Sequence, residues 1–258
     1  MMIKIEDLEV WYDSIPALRD VSLEINRGDF ILIIGPNGSG KTTLLKTIAN
    51  LVKPKKGAVY IDGRELSRYG PRSLSRILSY IDPHLSREMP TTVQELLMTA
   101  RYPREDLFKI KVDKEFINKI NEVAKTLRIE DLLERRLDQV SSGELQRIII
   151  ARALLQDPEI LLVDEPTAFL DLKYRFEIMD LLKKINREHM KTMIVTTHDL
   201  ILAGLYGEKI ILLYKGMIRA AGDVEKVLKK DLVKEVYEID VEEIYVNNRK
   251  ILIPINMK

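Results

Sequence analysis

One glycine-rich segment, Gly35-Pro-Asn-Gly-Ser-Gly-Lys-Thr-Thr43, constrains the fold of this chain more than any other feature. It fits the pattern G-x-x-x-x-G-K-[ST], and it lies between an apolar run typical of a buried strand (30–34) and a helical pattern (44–49). Glycines let backbone N–H groups curl around a polyphosphate, and the N-terminus of the following helix favours negative charge. The segment therefore predicts the strand–loop–helix unit of a phosphate loop, in an α/β fold that binds a nucleoside triphosphate.

The loop also predicts roles for individual residues. Lys41 is placed to reach the β- and γ-phosphates, and the Thr42 hydroxyl is placed to hold Mg²⁺. The rest of the loop is expected to surround the phosphates of ATP: Gly35, Pro36, Asn37, Gly38, Ser39, Gly40 and Thr43.

Composition excludes several classes of function. The 258 residues include 41 basic and 40 acidic side chains, so the net charge of +1 gives no field that would recruit nucleic acid. No cysteine is present, which excludes disulfides, thiolate metal sites and cysteine nucleophiles. No apolar run approaches the roughly 18 residues of a membrane span, and the N-terminus lacks a signal-like apolar region. We therefore expect a cytoplasmic location.

A second motif, Ile160-Leu-Leu-Val-Asp-Glu-Pro166, is an apolar strand that ends in two adjacent carboxylates. Neighbouring side chains at a strand end point in different directions. Asp164 can therefore face a metal ion while Glu165 faces the γ-phosphate. Alone, the motif is equally compatible with an acidic turn at which Pro166 stops the strand. The upstream phosphate loop favours the functional interpretation.

The order of patterns predicts one domain spanning 1–258. Residues 2–34 alternate as short β segments, whereas 86–140 has helical patterns and no good strand. Thr92 and Asp113 are candidate N-caps in that block. We expect a nucleotide-binding core (1–85 and 141–258), a helical subdomain (86–140) inserted into it, and a hairpin around Asn247-Asn248 in the tail.

A third motif, Val140-Ser-Ser-Gly-Glu-Leu-Gln-Arg147, precedes the two-carboxylate strand. Local physics predicts a helix start there, with Ser141 or Ser142 as the N-cap. Such a start also presents hydroxyl and N–H donors to an anion.

Together, these motifs resemble the ATP-binding subunit of an ABC transporter. Val140-Ser-Ser-Gly-Glu144 is similar to the family signature L-S-G-G-Q, with Ser142 replacing a glycine. Ala168-Phe-Leu-Asp171 resembles the D-loop, and Thr196-Thr-His-Asp199 resembles the segment that carries the switch histidine. Tyr12 matches the aromatic residue that stacks on adenine. The resemblance thus implies nucleotide contacts for Tyr12, Ser141, Ser142, Gly143 and Asp171.

The chain departs from this family at one position. Family members have a glutamine after a strand, in a stretch like Tyr-x-Pro-Gln, whereas this chain reads Ser79-Tyr-Ile-Asp-Pro-His84. Direct counting places Pro83 at the glutamine position, and a shift of one residue places His84 there. Because proline has no polar side-chain group, His84 or Asp82 would have to substitute for the glutamine. His84 is taken as the candidate metal contact.

The resemblance also implies a mechanism. Two copies would face each other head to tail, each nucleotide lying between one phosphate loop and the partner copy's Ser141–Gly143 segment. Glu165 would polarise the attacking water, His198 would hold that water and the γ-phosphate, and Lys41 with Mg²⁺ would stabilise developing charge.

Two further stretches, Thr92–Pro103 and Glu235–Glu243, are similar to importers of iron-siderophore, haem and cobalamin. Expected partners are integral membrane permease subunits and, through them, an extracytoplasmic substrate-binding protein, with the chain on the cytoplasmic side of the membrane. One alternative is a soluble ATPase of the same fold that acts in an assembly complex, such as iron–sulfur cluster biogenesis. The other is a module that uses ATP only as a clamp, but the presence of both Glu165 and His198 argues against it.

Overall fold

Phe30–Ile34 is apolar without interruption, and all five of its residues are buried. Such a run is typical of a strand in a parallel sheet that is covered on both faces. The computed structural model describes residues 1–82, 90–103 and 114–255, and it confirms this expectation. In chain order, the strands are β1 (Ile3–Tyr12), β2 (Ile15–Ile25), β3 (Phe30–Ile34), β4 (Lys56–Ile61), β5 (Arg64–Glu65), β6 (Leu78–Ile81), β7 (Ile160–Val163), β8 (Thr192–Thr197), β9 (Lys209–Tyr214), β10 (Met217–Gly222), β11 (Val241–Val246) and β12 (Arg249–Pro254).

Helices cover this framework and connect its strands. They are α1 (Lys41–Ile48), α2 (Pro71–Leu74), α3 (Val93–Met98), α4 (Lys114–Leu127), α5 (Ser142–Leu155), α6 (Leu172–His189), α7 (Leu200–Tyr206), α8 (Val224–Val227) and α9 (Lys230–Tyr237).

The central sheet has the strand order β10-β9-β3-β8-β7-β6. Its strands from β9 to β6 are parallel, and β10 pairs antiparallel at the edge. The register places Ile34 beside Thr197, and Val163 beside both Val195 and Ile81. The carboxyl ends of β3, β6, β7 and β8 therefore meet at one edge of the sheet, where α/β proteins bind their ligands.

The two faces of the central sheet bury different cores. Alternate residues of β3 point to opposite faces, so Ile31 and Ile33 join one apolar cluster while Phe30, Leu32 and Ile34 join another. The first cluster packs α1 and the N-terminal sheet, whose strand order is β2-β1-β4-β5, against the central sheet. This antiparallel layer confirms the alternation predicted for the N-terminal segment.

The second cluster joins the central sheet to α3–α7, α9 and the C-terminal strands. Between β6 and α5, the described part of the chain forms the predicted helices α3 and α4. Thr92 caps α3 through a reciprocal pair of hydrogen bonds, in which Glu95 N donates to Thr92 Oγ1 over 3.2 Å and Thr92 N donates to Glu95 Oε2 over 2.8 Å. The predicted cap Asp113 lies outside the described residues. The predicted domain limits at 86 and 140 remain a prediction.

The tail hairpin is confirmed, because β11 and β12 pair antiparallel from Val246↔Arg249 outward. Asn247 and Asn248 form the two-residue turn with φ values of 49° and 60°. Two positive φ values are typical of the turn that matches strand twist in a hairpin. Over the residues that the structure describes, no helix combines the length and the apolar character needed to cross a membrane.

Candidate active site

The phosphate loop turns sharply between β3 and α1, and its glycines are needed for that path. Gly38 and Gly40 have φ values of 77° and 105°, a region that other residues rarely adopt. A Cβ on Gly40 would lie 2.8 Å from the carbonyl oxygen of Ala17, and one on Gly35 would lie 2.2 Å from that of Leu213. The strands packed behind the loop therefore leave no room for side chains at Gly35 and Gly40.

Lys41 is the first residue of α1, and its side chain is only 5% exposed. Its ammonium donates to the carbonyl oxygens of Gly35 (2.9 Å) and Pro36 (3.2 Å), and it lies 3.4 Å from Glu165 Oε1. Three oxygen partners match the three donors of an ammonium group. The lysine predicted to bind phosphates is thus held at the loop, in contact with the predicted catalytic acid.

The two predicted acids follow β7 and take different directions, as expected. Asp164 is 3% exposed, and its Oδ1 accepts a hydrogen bond of 2.6 Å from Thr196 Oγ1. Glu165 has a left-handed φ of 41°, and its backbone N–H donates to the same Thr196 oxygen over 2.8 Å. Left-handed backbone is unfavourable for a side chain such as glutamate, and residues strained in this way cluster at functional sites.

The predicted switch histidine, His198, comes directly after β8, one strand away in the sheet. Its Nδ1 lies 3.2 Å from Glu165 Oε2. Glu165 therefore has Lys41 at one carboxylate oxygen and His198 at the other. This is a suitable position for a carboxylate that polarises a water molecule next to a phosphate.

A cleft of about 920 Å³ opens over these groups. Tyr12 lines it from the end of β1 and is 48% exposed, so one of its ring faces can be covered by a base. Gly35 and Pro36 lie behind the cleft and hold Lys41 through their carbonyl groups. The predicted residues that do line the cleft are Tyr12, Asn37, Gly38, Ser39, Gly40, Lys41, Thr42, Thr43, Asp164, Glu165 and His198.

The remaining predicted contacts do not line this cleft, within the part of the chain that the structure describes. Ser141 and Asp171 are exposed at the starts of α5 and α6. Ser142 and Gly143 follow Ser141 in the first turn of α5. His84 and Pro83 lie outside the described residues, whereas Asp82, the other possible substitute for the glutamine, lines the cleft.

Ser141, rather than Ser142, is the N-cap of α5. Its Oγ accepts from Glu144 N over 3.3 Å, and Glu144 Oε2 accepts from Ser141 N over 2.7 Å. The hydrogen bond from this backbone N–H lowers the pKa of Glu144. The signature segment is therefore a capped helix start with the charged Glu144 in its first turn.

The donor set at the cleft fits polyphosphate and Mg²⁺. Ser39 Oγ is buried without a hydrogen-bond partner among the described residues, so the loop has an unused polar atom beside the phosphate position. Mg²⁺ in nucleotide sites typically takes one or two protein oxygens and completes its shell with phosphate and water. Thr42 and Asp164, the predicted metal contacts, both line the cleft and would supply such oxygens, and the Asp82 carboxylate also lines it. Mg²⁺ bound there would neutralise phosphate charge.

Sequence reasoning assigned no role to two residues that support the site, Tyr80 and Thr196. Tyr80, on β6, donates from its hydroxyl to Asp164 Oδ2 over 3.1 Å, and Thr196 contacts both acids. The sequence did contain a hint of these contacts, because polar residues at the carboxyl ends of neighbouring parallel strands lie at the same edge of a sheet. Strand order, however, could not be read from the chain.

Comparison with known proteins agrees with this geometry. The profile of the ABC transporter family matches residues 18–168. The chain is 39% identical over 240 residues to the ABC transporter ATP-binding protein MJ0873 of Methanocaldococcus jannaschii, covering 92% of this chain and 82% of that protein. It is 34% identical over 234 residues to the ferric enterobactin transport ATP-binding protein FepC of Escherichia coli, covering 90% and 85%.

Solved structures show the same fold. A chain from an inward-facing ABC transporter, assigned to the metal-chelate type, superposes with a TM-score of 0.85 at 21% identity, covering 99% of this chain and 98% of that one. The dimeric ATP-binding cassette MJ0796, bound to ADP and phosphate, superposes with a TM-score of 0.75 at 33% identity, covering 86% and 99%. These likenesses confirm the predicted α/β phosphate-loop core of ABC type. The chain belongs to the ATP-binding proteins of ABC transporters, and like its relatives it is an ATPase.

Proposed function

We propose that this protein hydrolyses ATP to power the import of a metal chelate, of the iron-siderophore, haem or cobalamin class, through a membrane permease. One observation carries the ATPase part. Three neighbouring strands, β3, β8 and β7, carry the phosphate loop, the histidine and the two acids to one cleft. There, Lys41 contacts one carboxylate oxygen of Glu165 and His198 contacts the other. The chelate class is supported by the ferric enterobactin relative and by the stretches Thr92–Pro103 and Glu235–Glu243.

In this proposal, Glu165 accepts the proton of the attacking water, and His198 holds the water and the γ-phosphate in line. Lys41 stabilises the charge that develops on the transferred phosphate. Tyr12 stacks on adenine from the open end of the cleft. Thr42 and Asp164 hold Mg²⁺. His84, which lies outside the described residues, stays a candidate for the position of the family glutamine.

The protein is proposed to act as a homodimer with two ATP molecules in its interface. The signature residues and Asp171 point to this assembly, because they do not line the cleft of their own copy. A head-to-tail partner would place its Ser141–Gly143 segment over the phosphates, and MJ0796 forms a dimer. ATP then acts as a ligand that shifts two copies toward the closed pair.

The proposed location is the cytoplasmic face of the membrane, where the dimer contacts permease subunits. An extracytoplasmic substrate-binding protein would act through that permease. The helical block around α3 and α4 is the surface expected to receive the permease. No nucleic-acid partner is proposed, because the net charge is only +1.

The test starts with affinity purification of the chain from detergent-solubilised membranes of its own source. The complex is reconstituted with the co-purified permease and its binding protein, and ATPase is measured with ferric siderophores, haem and cobalamin in turn. We expect a multi-span protein in equimolar amount and stimulation by one of these three. The Glu165→Gln chain is the matched control, because it should retain the permease and lose turnover. Recovery of soluble partners alone would favour an assembly ATPase, and a permease complex that none of the three stimulates would contradict the chelate class.

A further inference from the structure

Asp164 is held at both of its carboxylate oxygens. Tyr80 donates to Oδ2 over 3.1 Å, and Thr196 donates to Oδ1 over 2.6 Å. The donors come from β6 and β8, the strands on either side of β7, whose end carries Asp164. A carboxylate offers about four lone-pair positions, so two remain for other partners after these bonds. The two hydrogen bonds fix the direction in which those positions point.

The Tyr80 phenol is suited to remain a donor. Its side chain is half-buried, and burial, followed by the carboxylates of Asp164 and Asp82, raises its pKa. Because an ionised carboxylate can only accept, the phenol is the donor in the 3.1 Å bond to Asp164. Thr196 is completely buried and also accepts the Glu165 N–H, so it links the two acids.

We propose that Tyr80 and Thr196 are positioning residues that orient Asp164 toward the metal and thereby set the Mg²⁺ affinity of the nucleotide site. Groups that hydrogen-bond to a metal-binding carboxylate fix its orientation, and their loss typically lowers metal affinity about 10–100-fold. The inference rests on the proposed role of Asp164 in holding Mg²⁺. Through Tyr80, it connects Asp164 to β6. In the sequence, β6 is followed by the stretch in which this chain lacks the family glutamine.

The test measures how strongly Mg²⁺ promotes nucleotide binding. Isothermal titration calorimetry gives the dissociation constant of the non-hydrolysable analogue AMP-PNP with Mg²⁺ and with EDTA. The Mg²⁺ effect is the dissociation constant in EDTA divided by the dissociation constant in Mg²⁺. We expect Tyr80→Phe to reduce this ratio about tenfold while leaving the EDTA value within about twofold of wild type. A general loss of structure would instead weaken binding under both conditions.

Tyr206→Phe is the matched control. The Tyr206 hydroxyl also donates to a carboxylate, Asp180 Oδ1, over 2.8 Å, and burial likewise raises its pKa, but it lies on α7 outside the nucleotide cleft. This variant should keep the wild-type ratio. An equal reduction in both variants would overturn the proposal, as would a wild-type ratio in Tyr80→Phe.

A second pair of variants keeps the inference testable if Tyr80→Phe does not fold. Thr196→Ser keeps the hydroxyl and should keep the ratio, whereas Thr196→Val removes the bond to Asp164 and should reduce it. Equal ratios in these two variants would overturn the inference. If wild-type binding itself does not depend on Mg²⁺, the proposed metal role of Asp164 fails first, and this result is distinct from a failure of Tyr80.

Discussion

Replacing Glu165 with glutamine tests the chemistry of the site most directly. The substitution keeps the shape of the side chain but removes the charge that lies 3.4 Å from Lys41 Nζ and 3.2 Å from His198 Nδ1. Glutamine cannot accept the proton of an attacking water. A general base contributes about 10²–10⁴ to a rate, and this corresponds to about 2.7–5.5 kcal/mol of activation free energy. Turnover should fall by that factor.

The affinity for ATP should rise or stay constant in Glu165→Gln. The lost carboxylate lies beside the position proposed for the γ-phosphate, so its removal takes away a negative charge that repels ATP. ATP binding to Glu165→Gln should therefore be equal to or tighter than wild type, and the ATP-bound protein should accumulate as a dimer. Single-turnover phosphate release, calorimetry and light scattering measure these three quantities.

Stability should fall modestly, because Lys41 is 5% exposed and loses a charged partner. The lost contact is an ion pair at 3.4 Å, and Lys41 keeps its two carbonyl partners, so we expect a loss of about 1 kcal/mol.

Glu208→Gln provides the control for this loss. Glu208 pairs with Lys183 at 2.6 Å, Lys183 is also largely buried, and neither residue lines the nucleotide cleft. The Glu208→Gln protein should lose a comparable free energy of unfolding and keep wild-type turnover. The reasoning is refuted if Glu165→Gln keeps more than about a tenth of wild-type turnover. It is also refuted if turnover falls by the same factor in Glu208→Gln.

Other predictions concern neighbouring parts of the site. A Cβ on Gly143 would lie 2.9 Å from the Tyr174 ring, so Gly143→Ala should lower ATPase about tenfold and leave AMP-PNP binding to the monomer unchanged; weaker monomer binding would contradict the role in a partner's site. Tyr12→Ala should raise the ATP dissociation constant about 5- to 150-fold, because stacking on a base contributes about 1–3 kcal/mol, whereas Tyr12→Phe should match wild type in the same titration. The pKa of Glu144 is lowered from 4.5 by the Ser141 N–H, so its contribution to stability is present above pH 4.5 and is lost as pH falls through the folded-state value. Thermal unfolding of wild type and Glu144→Gln between pH 3 and pH 6 should show a stability difference that shrinks with acidification, and a constant difference would argue against this.

Local patterns predicted the parts of the fold that depend on neighbouring residues. The buried run of β3, the cap at Thr92 and the Asn247-Asn248 turn each follow from interactions within a few positions, and all three are confirmed. The motifs in turn identified Lys41 and Glu165, which the structure brings into contact.

Contacts that depend on strand order could not be predicted in this way. Tyr80 and Asp164 are 84 positions apart, and Asp164 and Thr196 are 32 apart. They meet only because β6, β7 and β8 are adjacent and in register. The left-handed φ of Glu165 was equally hidden, since glutamate does not favour that conformation and the turn after β7 imposes it.

The three partners of Lys41 affect which ligands can bind at the phosphate loop. With two loop carbonyls and Glu165 around it, the ammonium presents no unmatched charge to stray anions, so a ligand has to offer enough phosphate oxygens to replace these partners. In the proposed mechanism, a triphosphate that draws Lys41 toward itself would also free Glu165 Oε1 to accept a proton. In the proposed mechanism, binding of the substrate would therefore release the catalytic base from its ion pair with Lys41.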